Sequence, residues 1–337
     1  MATTIEWFGA TTYRLKTNGL TIFLDTWLER PSVLPKFLNI EDVITSSYLM
    51  PTSTNRIAIK TGALVIANGE AINVLRSAGV PEQQLVPVSG GERVPLFARH
   101  VRDAAMRGEG ELEPGPPGAP LNPSHKLAAA SVHVWPSLHC LMPGESHADI
   151  PDVMDTGKEF IGGASQYACT LNITFGMKYG LLKIGDHMPR EAMDEGLRSF
   201  VDYVNGPARD CMSHFDGGQL MFNFLLGDYK TLMWSAHLGG YEGILRAVEP
   251  KPNVLIQAIA GRANLNGRPF DGSAARFATD VSKWLKEPER VIWCLHDDAP
   301  IKPWTVDVAP ATRLLEESTR SRVLSLELGH LATLFEA

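Results

Sequence analysis

The stretch TTYRLKTNGLTIFLDTWL, residues 11–28, places Asn18 and Gly19 between two strand-like runs. The tightest hairpin turns need a positive φ at both central positions, and asparagine and glycine adopt that conformation most readily. The pattern therefore predicts an antiparallel hairpin, and the chain is expected to open with a β-meander.

Downstream of the hairpin, helix-like and strand-like segments alternate. A helix-like segment starts at Asn55, the run ALVIAN at residues 63–68 is typical of a short buried strand, and GEAINVLRSAG is typical of a helix that ends at Gly79. Residues 107–123, RGEGELEPGPPGAPLNP, contain so much glycine, proline and acid that they predict a surface loop or insertion without regular structure. This loop is expected to mark the boundary between two halves of one domain, residues 1–337.

The second half repeats this organisation. Its predicted strands are SVHVWPSLHC, a hairpin within LNITFGMKYGLLKI, LMFNFLL, TLMWSA, NVLIQAIAG and RVIWCLHDD. Its predicted helices are PREAMDEGLRSFVDYV, YEGILRAV, SAARFATDVSKWL and ATRLLEEST. Two halves built of a meander and helices predict two antiparallel or mixed sheets packed face to face, with helices outside.

Composition excludes several classes of function. The net charge of −7 and the pI near 5.8 argue against nucleic-acid and anionic-membrane partners, which favour clustered lysine and arginine. No apolar run reaches membrane-spanning length, and the start MATTIEWFGA lacks the features of a signal peptide. The four cysteines form no CxxC pair, which is typical of reduced, mostly buried thiols. The expected location is the cytoplasm.

Several segments together resemble one family. The opening IEWFGATTYRLKTNGLTIFLDTWLERP is similar to the start of the metallo-β-lactamase fold hydrolases, especially the lactonase-like branch, in which the strand ends at an aspartate that corresponds to Asp25. The resemblance continues over nearly the whole chain through RIAIKTGALVIANGEAINVLRSAGVPEQQLVPVSGGE, PSLH, LMWSAHLGGY, AIAGRANLNGRPFDGS and VIWCLHDDAP. It implies a four-layer αββα sandwich, in agreement with the predicted order of elements.

The metal-binding motif of that family is degenerate in this sequence. In the family, the turn after the strand carries His-x-His-x-Asp-His and supplies ligands to two metal ions. By the same register, Ser46 and Tyr48 stand at the first two histidine positions, Met50 at the aspartate and Pro51 at the last histidine. Hydroxyls, a thioether and proline cannot replace imidazole and carboxylate as ligands of a divalent ion. The sequence therefore predicts that no normal dimetal site forms.

Three histidines remain at the other ligand positions. By the resemblance, His139 in PSLHC matches the family's next histidine and His296 in CLHDD the terminal one, whereas His237 in WSAHLGGY replaces the bridging aspartate. Three imidazoles are thus expected to converge on a pocket that has lost its metal pair. Three histidines can hold one zinc ion, so a single site on these residues is the fallback metal hypothesis.

The predicted catalytic residues are His139, His237 and His296, with Tyr48 as a proton donor or an aromatic wall and Ser46 as an alternative nucleophile. No Gly-x-Ser-x-Gly elbow surrounds Ser46. The predicted pocket lining consists of Met50, Leu49, Trp135, Trp234, Asp186 and His187. Asp186 and His187 are open to a second interpretation as helix or loop caps, and Asp297 and Asp298 are expected either to orient His296 or to cap its loop.

The leading functional hypothesis is a metal-independent enzyme that acts on a small, fairly apolar carbonyl compound, such as a lactone, an ester or a cyclic natural product. Histidine acid-base catalysis would drive hydrolysis, isomerisation or elimination. Two alternatives stay open: a catalytically inactive paralogue that binds a ligand or partner, and a hydrolase with one metal on three histidines. No cofactor is expected beyond that fallback zinc. The expected partner is a small-molecule substrate, with a homodimer as one option.

Overall fold

The computed structural model of the protein describes the following residues: 2–25, 43–46, 54–141, 151–160, 183–193, 198, 201–202, 205, 217–298 and 305–336. Strands and helices are numbered here in chain order. Among the described residues, no helix is both long and apolar enough to cross a membrane.

Within the described residues, the first large sheet has seven strands. They are β1 (Thr3–Trp7), β2 (Tyr13–Thr17), β3 (Leu20–Leu24), β4 (Val43–Ser46), β5 (Leu64–Ala67), β6 (Leu85–Pro87) and β21 (Leu331–Phe335). Their order is β21-β1-β2-β3-β4-β5-β6, antiparallel from β21 to β3 and parallel from β3 to β6. The opening strands thus form the predicted meander, and the following strands alternate with helices as the sequence predicts.

The second large sheet also shows seven strands in the part of the chain that the structure describes. They are β7 (Arg93–Leu96), β10 (Ala130–Pro136), β12 (Leu220–Leu225), β13 (Thr231–Ser235), β15 (Val254–Ala258), β18 (Arg290–Cys294) and β20 (Arg322–Val323). Their order is β20-β18-β15-β13-β12-β10-β7, antiparallel from β7 to β13 and parallel from β13 to β20. Both sheets are therefore mixed.

The other strands among the described residues form three small sheets. They are β8 (Leu112–Glu113) with β9 (Asn122–Pro123), β11 (Val153–Asp155) with β19 (Thr305–Asp307), and β14 (Gly239–Gly240), β16 (Asn264–Leu265) and β17 (Arg268–Pro269). The described helices are α1 (Thr54–Thr61), α2 (Gly69–Ser77), α3 (Arg99–Met106), α4 (Ile184–His187), α5 (Glu242–Ala247), α6 (Ala274–Trp284) and α7 (Ala309–Ser318). Three short 3₁₀ turns cover Glu82–Gln84, His125–Leu127 and Arg190–Ala192.

Three apolar clusters show how these elements are layered. The inner cluster joins both large sheets, with Ile22 of β3 and Trp234 of β13 among its fully buried members. A second cluster packs Phe277 of α6 against the outer face of the second sheet, and a third packs Leu75 of α2 against the outer face of the first. Each fully buried side chain of this size contributes about 1.5–3 kcal/mol. The result is the predicted αββα sandwich.

The hairpin turn between β2 and β3 has the predicted conformation. Asn18 and Gly19 have φ angles of 49° and 77°, as a two-residue turn requires. The Asn18 side chain also donates hydrogen bonds to the backbone carbonyls of Ala129 and Leu226, at 3.0 Å and 2.7 Å. Since Leu226 directly follows β12, this one amide ties the first sheet to the second.

The structure differs from the sequence prediction at the proposed boundary loop. Residues 107–123 contain β8 and β9, which pair with each other, although the prediction was that no regular element forms there. The chain passes from the first sheet to the second earlier, between β6 and β7. Each of these strands has only two residues and their pairing is local. A segment rich in glycine and proline can therefore still form it. The single-domain assignment of residues 1–337 stays a prediction.

Two predicted elements lie partly outside the described residues. The predicted hairpin in residues 171–184 has only its end described, and Ile184–His187 is a short helix rather than a strand end. Within the predicted helix of residues 189–204, the described part begins with the 3₁₀ turn Arg190–Ala192.

Candidate functional site

The three predicted histidines follow strands that run in the same direction. His139 comes after β10, His237 after β13 and His296 after β18, and the register makes these three strands parallel to one another. All three histidines therefore lie at one edge of the second sheet. In sandwiches of sheets and helices, such strand ends carry loops that are free to form a site.

The first sheet reaches the same edge through the turn after β1. Ala10 donates its backbone N–H to Oδ1 of Asp297 at 2.9 Å, and its carbonyl accepts the N–H of Leu295 at 3.0 Å. The Asp297 carboxylate thus joins the loops of two sheets. Of the two roles predicted for Asp297, the structure supports the loop cap.

His139 and His237 form a close pair of imidazole rings. Their ring centroids are 4.1 Å apart with the planes tilted by 31°. His237 is 6% exposed, and His139 is half-buried. The structure therefore brings together two of the three histidines that the sequence singled out.

Backbone contacts fix the position of His139. Its Nδ1 lies 2.7 Å from the carbonyl oxygen of Cys140, so Nδ1 carries a proton and donates it to this bond. Its own carbonyl accepts a hydrogen bond from Nδ2 of the buried Asn264 at 2.9 Å. The tautomer leaves Nε2 of His139 as the basic nitrogen.

The loop that carries His237 packs directly on the backbone beside His139. A Cβ atom at Gly239 would lie 2.4 Å from the carbonyl oxygen of Leu138, so only glycine fits there. Nε2 of the buried Gln257 donates to the carbonyl of His237 at 3.3 Å. The ring pair is thus held by main-chain contacts on both sides.

Burial keeps both His237 and His296 in the neutral form near pH 7. Loss of solvation lowers the pKa of His237 well below its ordinary value, and the neighbouring His139 lowers it further. Loss of solvation also lowers the pKa of His296. Neutral imidazoles can accept a proton or bind a metal ion.

Cys140 is a third side chain with a possible metal-donor atom at the pair, and the sequence prediction missed it. Its Sγ lies 3.7 Å from Nδ1 of His139, and the donor atoms of His139, Cys140 and His237 all lie within 4.8 Å of one another. The sequence pattern predicts a reduced, mostly buried thiol at this position, without a role in the site. Its position directly after a predicted site histidine was the only signal in the sequence.

The donor atoms of His139, Cys140 and His237 can be compared with the ligands that metal ions prefer. Two imidazoles and one thiolate suit a single zinc or another borderline ion rather than the oxygen-rich sites of hard ions. Among the described residues, the group that brings its donor atoms together contains Cys140 and not His296. The fallback site on three histidines stays a prediction, and the described residues offer a second donor set in which Cys140 stands in place of His296.

His296 has a different environment. Its ring centroid lies 4.8 Å from that of Trp7, with the planes tilted by 33°, and its carbonyl accepts the N–H of Val306 at 2.9 Å. It also borders a cavity of about 750 Å³ between α7 and the segment that contains β20. The cavity lining includes Trp293, His296, Thr312, Arg313, Val323 and Leu326.

Asp25, the aspartate that the resemblance singled out, directly follows β3. Its carboxylate is 7% exposed and accepts a hydrogen bond from the Thr11 hydroxyl at 2.5 Å, while its carbonyl accepts one from the Thr12 hydroxyl at 2.6 Å. Burial raises the pKa of Asp25 to about 6 in spite of the Thr11 bond, which lowers it. Asp25 therefore stabilises the turn after β1, which contacts the loop of His296.

The two tryptophans predicted to line one pocket lie on opposite faces of the second sheet. Trp234 is fully buried in the inner cluster, whereas Trp135 packs against the outer cluster with its ring 4.3 Å from that of His133. Successive residues of a strand point to opposite faces, and the register pairs Trp234 with Phe222 but Trp135 with Met221. The prediction of a shared lining is therefore wrong.

The other predicted site residues are either exposed or only partly described by the structure. Asp186 and His187 are exposed on α4, and their role in a pocket stays a prediction. Ser46 is the last residue of β4, where only its backbone is described. Tyr48, Leu49 and Met50 lie outside the described residues.

Comparison with solved structures supports the fold. The chain is similar to Igni18, a metallo hydrolase from the archaeon Ignicoccus hospitalis, with 13% identity, 100% of both chains covered and a TM-score of 0.55. It is also similar to CmlA, a diiron β-hydroxylase from Streptomyces venezuelae, with 12% identity and a TM-score of 0.51. That match covers 99% of this chain and 54% of CmlA, so the chain spans about half of CmlA's length. No protein-family model and no curated protein matches the sequence.

The two face-to-face mixed sheets, the outer helices and these similarities define the class. The protein has the metallo-β-lactamase fold, as the resemblance in its sequence predicted.

Proposed function

We propose that the protein is a hydrolase on the metallo-β-lactamase fold that cleaves a small, fairly apolar carbonyl compound by imidazole acid-base catalysis. Lactones and esters are the proposed substrates, with cyclic natural products as a further source of such bonds. His139 and His237 are the proposed catalytic pair, and the reaction requires no metal pair.

The observation that carries this proposal is the contact between the two rings at the strand edge. His139 and His237 have ring centroids 4.1 Å apart, and their loops are fixed by Asn264, Gln257 and Gly239. A fixed neutral imidazole can take a proton from a nucleophile and return it to a leaving group. Igni18 is called a metallo hydrolase, which supports hydrolysis as the reaction class for this fold.

The missing ligand motif supports a chemistry that does not depend on two metals. Ser46, Tyr48, Met50 and Pro51 occupy the positions at which the family carries its motif ligands. Tyr48 as proton donor and Ser46 as alternative nucleophile remain part of the proposal. His296 borders the cavity beside α7 and is assigned a supporting role at the strand edge.

A single metal ion is the second candidate, because the donors of His139, Cys140 and His237 lie within 4.8 Å of one another. These three residues would hold the ion, which when bound would polarise a carbonyl or activate water. Addition of Co²⁺ to metal-free protein tests this candidate. A thiolate-to-cobalt absorption band that Cys140→Ser removes supports the metal site, whereas no band supports the metal-independent enzyme.

The proposed catalytic pair is tested by His139→Ala and His237→Ala against a panel of lactones and p-nitrophenyl esters. Loss of an acid-base group typically lowers kcat/KM by about 10²–10⁴-fold, and each variant is expected to show a loss in this range. His330→Ala is the matched control, because His330 is exposed and its contact is with the nearby Glu327. Unchanged kcat/KM in both variants would contradict the proposal and favour an inactive paralogue that binds a ligand or partner.

A further inference from the structure

We infer that the guanidinium group of Arg262 binds a carboxylate on the substrate, which makes Arg262 a residue that determines specificity. This inference rests on the proposed function and names its substrates more closely. They are esters and lactones that carry a free carboxylate in addition to the bond that is cleaved.

Two unpaired donors on one side chain carry the inference. Nε and Nη2 of Arg262 are both buried, and neither has a hydrogen-bond partner among the described residues. Burial of an unpaired charged group is costly, and buried polar groups in folded proteins are paired as a rule. Donors left unpaired in this way indicate a ligand that supplies the acceptors.

The geometry of the two donors selects the kind of ligand. Nε and Nη2 lie side by side on one edge of the planar guanidinium group, so their N–H bonds form a fork. The two oxygens of a carboxylate match this fork through two parallel hydrogen bonds. The carbonyl of an ester offers a single oxygen and does not match it. A separate carboxylate on the substrate is therefore the group that fits.

The aromatic contact of Arg262 does not satisfy these donors. The guanidinium carbon lies over the ring of Phe160, 5.5 Å from its centroid. A cation–π contact of this kind attracts and orients the guanidinium group, but it provides no oxygen acceptor. The fork therefore keeps its capacity to bind a carboxylate.

Arg262 lies at the strand edge beside the proposed catalytic pair. Its backbone exchanges two hydrogen bonds of 2.8 Å with Leu141, and Asn264 donates to the carbonyl of His139 at 2.9 Å. Leu141 follows His139 by two residues, which corresponds to about 7 Å of extended chain. Arg262 is half-buried, so its side chain still borders solvent. A short chain is thus expected to join a carbonyl at the ring pair to a carboxylate at Arg262.

The test compares the hydrolysis of mono-p-nitrophenyl glutarate with that of its methyl ester by the full-length protein. The two compounds differ only in whether the distant carboxylate is free or methylated. Wild type is expected to have a kcat/KM about 10- to 100-fold higher for the free acid, the range for hydrogen bonds to charged groups. The difference is expected mainly in KM, because a distant group binds equally in the ground state and the transition state.

Variants of Arg262 show whether this preference depends on its fork. Arg262→Gln is expected to have equal kcat/KM for the two esters, whereas Arg262→Lys, which keeps the charge without the fork, is expected to retain part of the preference. Arg276→Gln is the control and is expected to keep the full preference. Arg276 also lies over a phenylalanine ring, that of Phe270 at 6.0 Å, but it is exposed.

The outcomes separate this inference from the proposed function. Equal hydrolysis of the two esters by wild type overturns the role of Arg262 and leaves the proposed function standing. If neither ester is hydrolysed, the proposed function fails, and calorimetric titration with glutarate tests Arg262 on its own. Binding that Arg262→Gln weakens by about 10-fold or more supports the inference, whereas no binding or equal binding overturns it. If Arg262→Gln fails to fold, the wild-type preference and Arg262→Lys decide.

Discussion

At the scale of single residues, burial sets the charge of the titratable groups at the strand edge. His237 and His296 are kept neutral by loss of solvation, and Asp25 has a pKa raised to about 6 by the same cause. The surrounding loops therefore contain groups whose protonation depends on the fold. The free energy of unfolding must then change with pH over a window fixed by each shift.

The Asp25 shift predicts that the protein loses stability as pH rises from about 4 to about 6. In this window the folded Asp25 keeps a proton that the unfolded chain, with a pKa of 3.8, has lost. A shift of about two units corresponds to about 3 kcal/mol. Asp25→Asn, which retains an acceptor for Thr11, is expected to remove this contribution and to be the more stable protein at pH 7.

The free energy of unfolding, measured by chemical denaturation at several pH values, tests this prediction. Asp228→Asn is the matched control, because Asp228 has the same φ of 47° as Asp25 but is exposed. If the free energy of unfolding changes with pH in the same way for wild type and Asp25→Asn, the buried carboxyl does not contribute to the pH dependence of stability, and the prediction is wrong.

At the scale of elements, local signals made most of the fold predictable. Asn18 and Gly19 form the predicted turn, and α2 begins after Asn68, whose side chain accepts the N–H of Ala71 at 2.8 Å. Such turns and caps depend on a few neighbouring residues, so a single sequence reveals them. The pairing of β8 with β9 and the helix at Ile184–His187 were missed because neither has a strong local signal.

The site was only partly predictable, because its members come from separate elements. His139 and His237 were found through the resemblance, but their 4.1 Å contact depends on two loops that only the fold brings together. Trp135 and Trp234 were predicted to line one pocket together with the histidines. Their faces are set by strand register, which the sequence does not state.

The loop between β13 and α5 gives a prediction at this scale. Gly239→Ala would place Cβ 2.4 Å from the carbonyl oxygen of Leu138, so the loop must move away from the backbone beside His139. A displacement of about 1 Å can cost about 10²-fold in rate, and we expect a loss of kcat near this size. The kcat of ester hydrolysis measures this loss, and circular dichroism checks that the variant is folded.

The neighbouring glycine provides the control. A Cβ at Gly240 would meet the flexible side chain of Leu245 at 3.1 Å rather than a backbone atom. Gly240→Ala is therefore expected to keep activity. Equal activity of both variants would mean that the contact with Leu138 does not position the pair.

At the scale of the whole molecule, the two sheets are joined by the inner apolar cluster and by a few polar contacts. The side chain of Asn18, in the first sheet's hairpin, donates to the backbone carbonyls of Ala129 and Leu226. The carboxylate of Asp297, which follows a strand of the second sheet, accepts the backbone N–H of Ala10. The apolar cluster supplies most of the stability, whereas the polar contacts fix how the sheet edges meet. Location in the cytoplasm and assembly as a homodimer remain predictions from the sequence.

The Asn18 contacts predict a measurable loss of stability. Asn18→Asp removes the donor of both hydrogen bonds but still tolerates the positive φ, and it leaves the carbonyls of Ala129 and Leu226 without that partner. We expect the free energy of unfolding to fall by about 1–3 kcal/mol. Asn266→Asp is the control, because Asn266 also has a positive φ but uses its side-chain oxygen as an acceptor for Glu242, which aspartate retains. Equal losses in the two variants would contradict the bridging role of Asn18.

The central claim is that the His139 and His237 pair hydrolyses carbonyl compounds without a metal pair. The most direct measurement is ester and lactone hydrolysis by protein stripped of metal, with the metal content of each sample determined by elemental analysis. The account predicts full activity at a metal content far below one ion per chain, and loss of that activity in His237→Ala. Activity that appears only when about one or two ions are bound per chain would contradict it.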